Sequence, residues 1–294
     1  MTTKPPFVLV HGAWHGAWTW ERVIPHLVRA GHRVIARDLP GHGLNARYPS
    51  GYHLGGEAHL GAEERRARLA EEPSPSAALT LQDHAEAVVD MLDMAGVGGA
   101  IVVAHSFGGL PVTQAAEMAA AKILGLVYLS AFMPSPGLSG LEYVTSAENE
   151  GELVVPALVA DPKQIGALRF DLLSRDGRKN VQRAFYGSAQ EHDAEAMCSL
   201  LTPDLATAPF VTPVSTGTEI WGALPRHYIR CARDRAIMPR LQQRFIDEAD
   251  AISVHRTVVH DLDTDHSPFL CKPAELADCL LRIAEVLPQS KRAA

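Results

Sequence analysis

The sequence has no basic run and no excess of positive charge: 27 lysines and arginines stand against 34 aspartates and glutamates, a formal net charge of −7. A phosphate backbone is gripped by clustered Lys and Arg, so nucleic acid is excluded as a partner. Long hydrophobic runs are missing too. No window reaches 18 uninterrupted apolar residues, and residues 1–6 hold no basic stretch leading into an apolar one, which argues against a membrane span and a secretory leader. Cysteine is sparse. Cys198, Cys231, Cys271 and Cys279 form no C-x-x-C pair and no metal-ligand spacing, so they read as reduced thiols of a cytoplasmic protein. What is present is a globular composition, 47% hydrophobic and 21% charged, in 294 residues. That length suits one α/β unit with an insertion as well as two domains.

Apolar runs of strand length recur at Phe7–Val10, Val34–Ala36, Ala100–Ala104, Leu126–Leu129, Tyr228–Ile229 and Val254–Val259. Several lack polar alternation, as strands buried on both faces do. Helix-period segments lie between them, at Trp18–Ala30, Leu81–Ala95, Leu110–Ala121, Pro239–Ala249 and Pro273–Leu287. The alternation predicts a doubly wound, mostly parallel six-stranded sheet of order 2-1-3-4-5-6. Two stretches interrupt it. Residues 44–78 read as a surface excursion, or alternatively a lid or oligomer contact, around the charged segment Ala62–Glu72, which suits a solvated helix. Residues 134–225, between the fourth and fifth strands, are long enough for a helical cap, with helical patterns at Ile165–Ser174 and Ala194–Leu201. The expected division is a core of 1–133 and 226–294 with a cap at 134–225.

The third strand runs into Ala104-His105-Ser106-Phe107-Gly108-Gly109, and a helix follows at once. A serine in such a turn, flanked by small residues, matches the nucleophile elbow G-x-S-x-G, with Ala104 at the first glycine. Small neighbours let the turn pack and leave the hydroxyl projecting from the sheet. Attack on a carbonyl also needs N–H donors for the developing oxyanion. Phe107, directly after the serine, supplies one. The loop after the first strand, His11-Gly12-Ala13-Trp14-His15-Gly16, supplies the other from Ala13, because the strand order brings that loop beside the elbow. His11 and His15 have no carboxylate nearby in the sequence, so they read as loop-stabilising residues rather than metal ligands.

A serine needs a general base, and the base needs a partner that fixes its tautomer. His266 lies in the loop after the last strand, at the same sheet edge as Ser106. Asp234 follows the fifth strand and gives the chain order Ser, Asp, His. Asp261, Asp263 and Asp265 are rivals for the orienting role, but a sequence neighbour of the histidine is badly placed to reach the far side of its ring. After the fourth strand the chain reads Ser130-Ala131-Phe132-Met133-Pro134, with no carboxylate.

These pieces resemble the α/β-hydrolases, and within them the group of pyrethroid-type carboxylesterases, plant methyl-ester esterases and hydroxynitrile lyases. The matching segments are Val8 to Trp18, Asp38-Leu39-Pro40-Gly41-His42-Gly43, Ala104 to Gly109, Trp221-Gly222 leading to Tyr228-Ile229-Arg230-Cys231, and Asp265-His266-Ser267-Pro268. The resemblance implies the same roles for Ser106, His266, Asp234, Ala13 and Phe107. It also separates two chemistries. Hydroxynitrile lyases of this group carry a lysine after the catalytic histidine and a threonine after the first histidine of the oxyanion loop, where this chain has Ser267 and Gly12. Dehalogenase and epoxide-hydrolase relatives use an aspartate where Ser106 stands.

The expected function is therefore a serine hydrolase that cleaves a carboxylic ester, lactone or thioester of a small apolar substrate through an acyl-enzyme, with no cofactor or metal. Trp14, Phe107, Phe132, Tyr143 and Trp221 are candidate pocket walls. The alternatives are a lyase or cyclase using the same triad and a hydrolase-fold receptor without turnover. A homodimer is compatible with the sequence, which does not set oligomeric state.

Overall fold

The computed structural model describes residues 4–52 and 61–289. Among them the main sheet has six parallel strands in the order β2-β1-β3-β4-β7-β8. The strands are β1 (Phe7–Val10), β2 (Val34–Ala36), β3 (Ala100–His105), β4 (Ile123–Leu129), β7 (Arg226–Cys231) and β8 (Val258–Leu262). Numbered within this sheet, that is the expected order 2-1-3-4-5-6. The central strands β1, β3 and β4 are buried along their whole length, which is why their sequences show no polar alternation. The edge strand β8 alternates little and is half exposed.

Before and between these strands run α1 (Ile24–Arg29), α2 (Ala62–Glu71), α3 (Leu81–Ala95) and α4 (Gly109–Ala119), and after β7 come α10 (Pro239–Ile252), α11 (Pro268–Cys271) and α12 (Pro273–Val286). The start of α3 is fixed by a capping box. The Thr80 hydroxyl accepts from the Asp83 N–H (3.1 Å) while the Asp83 carboxylate accepts from the Thr80 N–H (2.7 Å). Packing of α12 on the sheet uses Gly125 in β4: a Cβ there would lie 2.6 Å from Leu287.

Between β4 and β7 the chain forms α5 (Gly140–Val144), α6 (Pro162–Ile165), α7 (Arg175–Phe185), α8 (Glu191–Leu200) and α9 (Thr207–Val211). It also carries an unexpected antiparallel ladder of β5 (Ala167–Arg169) and β6 (Asp204–Ala206). The helical pattern read at Ile165–Ser174 is therefore wrong. Gly166 takes a left-handed conformation (φ 72°) that ends α6, and the next three residues are strand.

Two other boundaries move. The segment Trp18–Ala30 is a 3₁₀ turn at Ala17–Trp20 and then α1, because Pro25 has no N–H to continue a helix and instead sits in its first turn. The last strand begins at Val258 rather than Val254, which is 72% exposed and leads into the strand from outside. In the excursion 44–78, α2 exposes Glu63 to Arg68 and buries Leu69, and residues 53–60 lie outside the described residues. Arg169 ties the excursion to the β5–β6 ladder. Its guanidinium pairs with both oxygens of Asp204 (2.6 and 2.7 Å) and donates to the carbonyls of Leu69 (2.7 Å) and Glu72 (2.8 Å). Among the described residues no helix is long and apolar enough to cross a membrane, and all four cysteines are free thiols.

Candidate active site

Ser106 stands where β3 gives way to the 3₁₀ turn that begins α4, with φ at +54°. Non-glycine residues rarely adopt a positive φ, and here it occurs at three described positions: Trp14 (61°), Ser106 and Ser130 (38°). All three border the same region. The turn is possible because its neighbours lack side chains. A Cβ on Gly109 would lie 1.8 Å from the Phe132 carbonyl oxygen, and one on Gly108 would lie 2.6 Å from that of His11. A Cβ on Gly12 would meet the Ser106 Cβ at 2.8 Å, so the loop after β1 reaches the serine only because residue 12 is glycine.

His266 and Asp234 meet as the sequence predicts. The Nδ1–H of His266 donates to Oδ2 of Asp234 at 2.6 Å, with both side chains buried. Its other nitrogen, Nε2, is then the one that carries a lone pair in the neutral ring. The histidine is also held from below. Nε2 of His105, the residue before the serine, donates to the His266 carbonyl (2.9 Å), and the two rings lie 4.6 Å apart. Asp234 is fixed from the other side by the N–H groups of Ala236 (2.6 Å) and Ile237 (2.9 Å), which donate to Oδ1, and by the hydroxyl of Ser130, which donates to Oδ2.

The three rival aspartates are engaged elsewhere. Asp261 pairs with Arg230 (2.7 Å) and Asp263 with Arg233 (3.1 Å) at the surface. Asp265 is buried, but its carboxylate accepts from the N–H groups of Ser188 (2.6 Å) and Ser267 (3.0 Å) and so anchors the histidine loop to the segment after α7.

A cavity of about 360 Å³ opens beside Ser106, lined by Ala13, Trp14, Phe107, Phe132 and further apolar side chains. The two candidate oxyanion donors thus border one cavity with the serine, and Phe107 lies in the first turn after β3, where helical N–H groups have no intrahelical acceptor. Trp14 is held there by its indole N–H, which donates to the Leu168 carbonyl (3.0 Å), and by a tilted ring contact with Phe170 at 4.3 Å.

Tyr143 and Trp221 do not line the cavity. Tyr143 packs on Phe245 (4.6 Å) and donates its hydroxyl to Glu248 (2.5 Å); from the same helix it is Leu141, Val144 and Thr145 that face the cavity. Trp221 is fully buried elsewhere, donating to the Tyr128 hydroxyl (2.9 Å) under the Arg226 guanidinium (4.3 Å). Helix phase decides the first, and the second sits in the 3₁₀ turn Trp221–Ala223 that leads into β7; neither placement is fixed by residue type.

His11 and His15 are satisfied within the loop. His11 Nδ1 donates to the Gly12 carbonyl (2.8 Å) while its Nε2 accepts from the Leu39 N–H (2.9 Å). His15 Nδ1 donates to the Ala13 carbonyl (2.7 Å) while its Nε2 accepts from the Tyr186 hydroxyl (2.7 Å). Burial, opposed by the bonds to the Gly12 and Ala13 carbonyls, lowers both pKa values from 6.5 to about 3, so both are neutral at pH 7. Among the described residues no group of three or more His, Cys, Asp or Glu is placed to hold a metal ion.

Sequence reasoning missed Ser130, His105 and Gln242. The last clamps the end of β7 with bonds to the Cys231 N–H (3.0 Å) and to the carbonyls of Cys231 (3.1 Å) and Ile237 (2.8 Å), which sets the turn bearing Asp234. Only Ser130 had a legible signal, since it follows β4 where such sheets can place an acid.

Comparison with known proteins places these features in context. A family model described as the alpha/beta hydrolase family matches residues 7–279. Methylesterase 9 of Arabidopsis thaliana is 29% identical over 286 residues, covering 96% of this chain and 99% of that protein. Polyneuridine aldehyde esterase of Rauvolfia serpentina is 27% identical over 292 residues, covering 95% of each. Among solved structures, a pyrethroid hydrolase from Sphingobium faniae JZ-2 superposes with a TM-score of 0.71 at 23% identity, covering 96% of this chain and 98% of that one.

Proposed function

The chain belongs to the α/β-hydrolase family, and on that premise we propose that it hydrolyses carboxylic esters of small, largely apolar molecules through a Ser106 acyl-enzyme. The observation that carries this reading is the buried 2.6 Å pair of His266 and Asp234, held by His105 against the turn that presents Ser106 to an apolar cavity. His266 Nε2 takes the Ser106 proton as Oγ attacks the ester carbonyl. Asp234 stabilises the imidazolium that results, and the N–H groups of Ala13 and Phe107 bind the oxyanion. The tetrahedral intermediate collapses, His266 passes the proton to the leaving alcohol, and water repeats the sequence to release the acid. Residues 134–225 act as a cap over a core of 1–133 and 226–294. A lyase would need a cation for its departing anion, and no lysine or arginine lines the cavity among the described residues. The substrate is a small molecule, and no step calls for a cofactor.

A fluorophosphonate probe tests the reading. It labels Ser106, and p-nitrophenyl esters give an acyl-enzyme mass on that residue, while Ser106→Ala loses turnover by on the order of 10⁶-fold with an unchanged melt. Labelling at another residue, or turnover surviving in Ser106→Ala, overturns it.

A further inference from the structure

The cavity beside Ser106 has one ionisable lining residue among the described residues, Glu152. The other polar side chains there are accounted for. Ser106 is the proposed nucleophile, the Trp14 indole donates to Leu168, and the Thr145 hydroxyl donates to the Leu141 carbonyl (2.9 Å). Glu152 is built in rather than loosely draped. Its Oε2 accepts from the N–H of Val154 (2.6 Å) and of Val155 (3.1 Å), and the Val155 N–H also reaches Oε1 (3.2 Å). The Leu153 N–H donates to the Arg235 carbonyl (2.8 Å), which fastens this stretch to the turn that carries Asp234.

Among the described residues no cation pairs with this carboxylate. Glu152 takes part in no ion pair among the described residues, and Arg235 directs its guanidinium to the Gly151 carbonyl (3.0 Å). Burial pushes the Glu152 carboxyl above the ordinary range against the pull of the Val154 and Val155 N–H groups. An entirely apolar ester filling the cavity would strip water from the carboxylate and return nothing. A donor carrying positive charge would replace that water with a charge-assisted hydrogen bond, and the chain's charge of −7 favours its approach.

We propose that Glu152 is a specificity-determining residue that selects esters whose far end carries a protonated amine. The proposal rests on reading the Ser106 cavity as an ester site. Between the carbonyl and the amine the substrate is apolar, to match walls such as Phe132, Val154 and Phe210.

The test uses pairs of methyl esters in which an ammonium group replaces a terminal methyl of nearly the same size: methyl 6-aminohexanoate against methyl heptanoate, and the same pairing from 4-aminobutanoate to 8-aminooctanoate. Binding is measured by calorimetry on Ser106→Ala, where turnover plays no part, and kcat/KM on the wild type. Expected is a preference for the ammonium member of roughly tenfold or more at the chain length that spans the cavity, lost in Glu152→Gln. Glutamine keeps an oxygen for the Val154 and Val155 N–H groups, so the local fold is retained. Absence of an ammonium preference at every length, or a preference that survives both Glu152→Gln and Glu152→Leu, overturns the proposal. Glu152-dependent binding without hydrolysis of either ester supports it and sinks the esterase reading; hydrolysis without preference does the reverse.

Discussion

The hydroxyl of Ser130 donates to the same oxygen of Asp234, Oδ2, that accepts the Nδ1 proton of His266. With Ala236 and Ile237 donating to Oδ1, the carboxylate has four donors on its two oxygens, the full complement it can accept. Three of the four come from outside the histidine, from the ends of two adjacent strands. Asp234 therefore has one orientation, and the imidazole inherits it.

Removing these contacts separates orientation from scaffold. Asp234→Asn lowers kcat roughly 10⁴-fold by leaving the ring in the wrong tautomer. Ser130→Ala loses one charged hydrogen bond and lowers kcat roughly 10- to 100-fold, with KM little changed. Asp261→Asn and Asp263→Asn, whose partners Arg230 and Arg233 lie at the surface, stay close to wild type. Steady-state kinetics on one p-nitrophenyl ester ranks the set; a sensitive Asp261 or Asp263 would contradict the assignment.

Much of this site was legible because its logic is local to strand ends. Ser106, Asp234 and His266 each follow a strand of the same parallel sheet, and strand order alone brings their loops to one edge. The walls were harder. Tyr143 and Leu141 lie two residues apart on α5, and which of them faces the cavity depends on how that helix docks on Phe245 and Phe210, which no local pattern specifies. The same holds for Glu152, a carboxylate in irregular chain whose meaning comes from the apolar surfaces around it. Where a stop signal was overlooked, as at Gly166, periodicity misled.

Gly109, directly after the elbow motif, should be the least replaceable small residue of the turn. In Gly109→Ala the new methyl would sit 1.8 Å from the Phe132 carbonyl oxygen, which is backbone and cannot swing aside. The Phe132 N–H also donates to the Ser106 carbonyl (3.0 Å), so a displaced Phe132 displaces the serine. Expected are a lowered melting temperature and a loss of kcat together. Gly187→Ala, where among the described residues a Cβ would meet only the Arg183 carbonyl oxygen at an ordinary 3.7 Å, is the control and leaves both unchanged. A Gly109→Ala protein with normal melt and rate would refute the close-approach argument.

Arg169 and Asp204 form a fully buried ion pair that also satisfies the carbonyls ending α2. Arg169→Met strands the Asp204 charge and two backbone acceptors, at a cost of roughly 3–5 kcal/mol in denaturant unfolding. Arg169→Met combined with Asp204→Leu recovers much of it, because the penalty lies in the unpaired charge. Hydrogen exchange in the single variant should rise first at 62–76, the part of the excursion this pair holds. Unchanged exchange there would show that other contacts carry the excursion.

The buried histidines of the loop after β1 give stability a definite pH dependence. His11 and His15 titrate at about 3 in the folded chain, chiefly because burial penalises the imidazolium, against about 6.5 when unfolded. Burial lowers His42 and His105 in the same direction. Between these limits the unfolded chain binds protons that the folded chain refuses, so the free energy of unfolding rises with pH across the window. The stabilisation is complete above about pH 6.5 and is lost progressively as the pH falls toward 3. Carboxylates whose pKa values are lowered by their partners, such as Asp261 beside Arg230, contribute only near the acid end, which leaves pH 6.5 to 5 to the histidines. Denaturant unfolding at closely spaced pH values across that range measures the slope directly. His15→Gln, which removes one titrating ring, should reduce it by about one proton, roughly 1.4 kcal/mol per pH unit. A slope unchanged by that substitution would mean that His15 is protonated in the folded protein, which is incompatible with its Nε2 accepting from Tyr186.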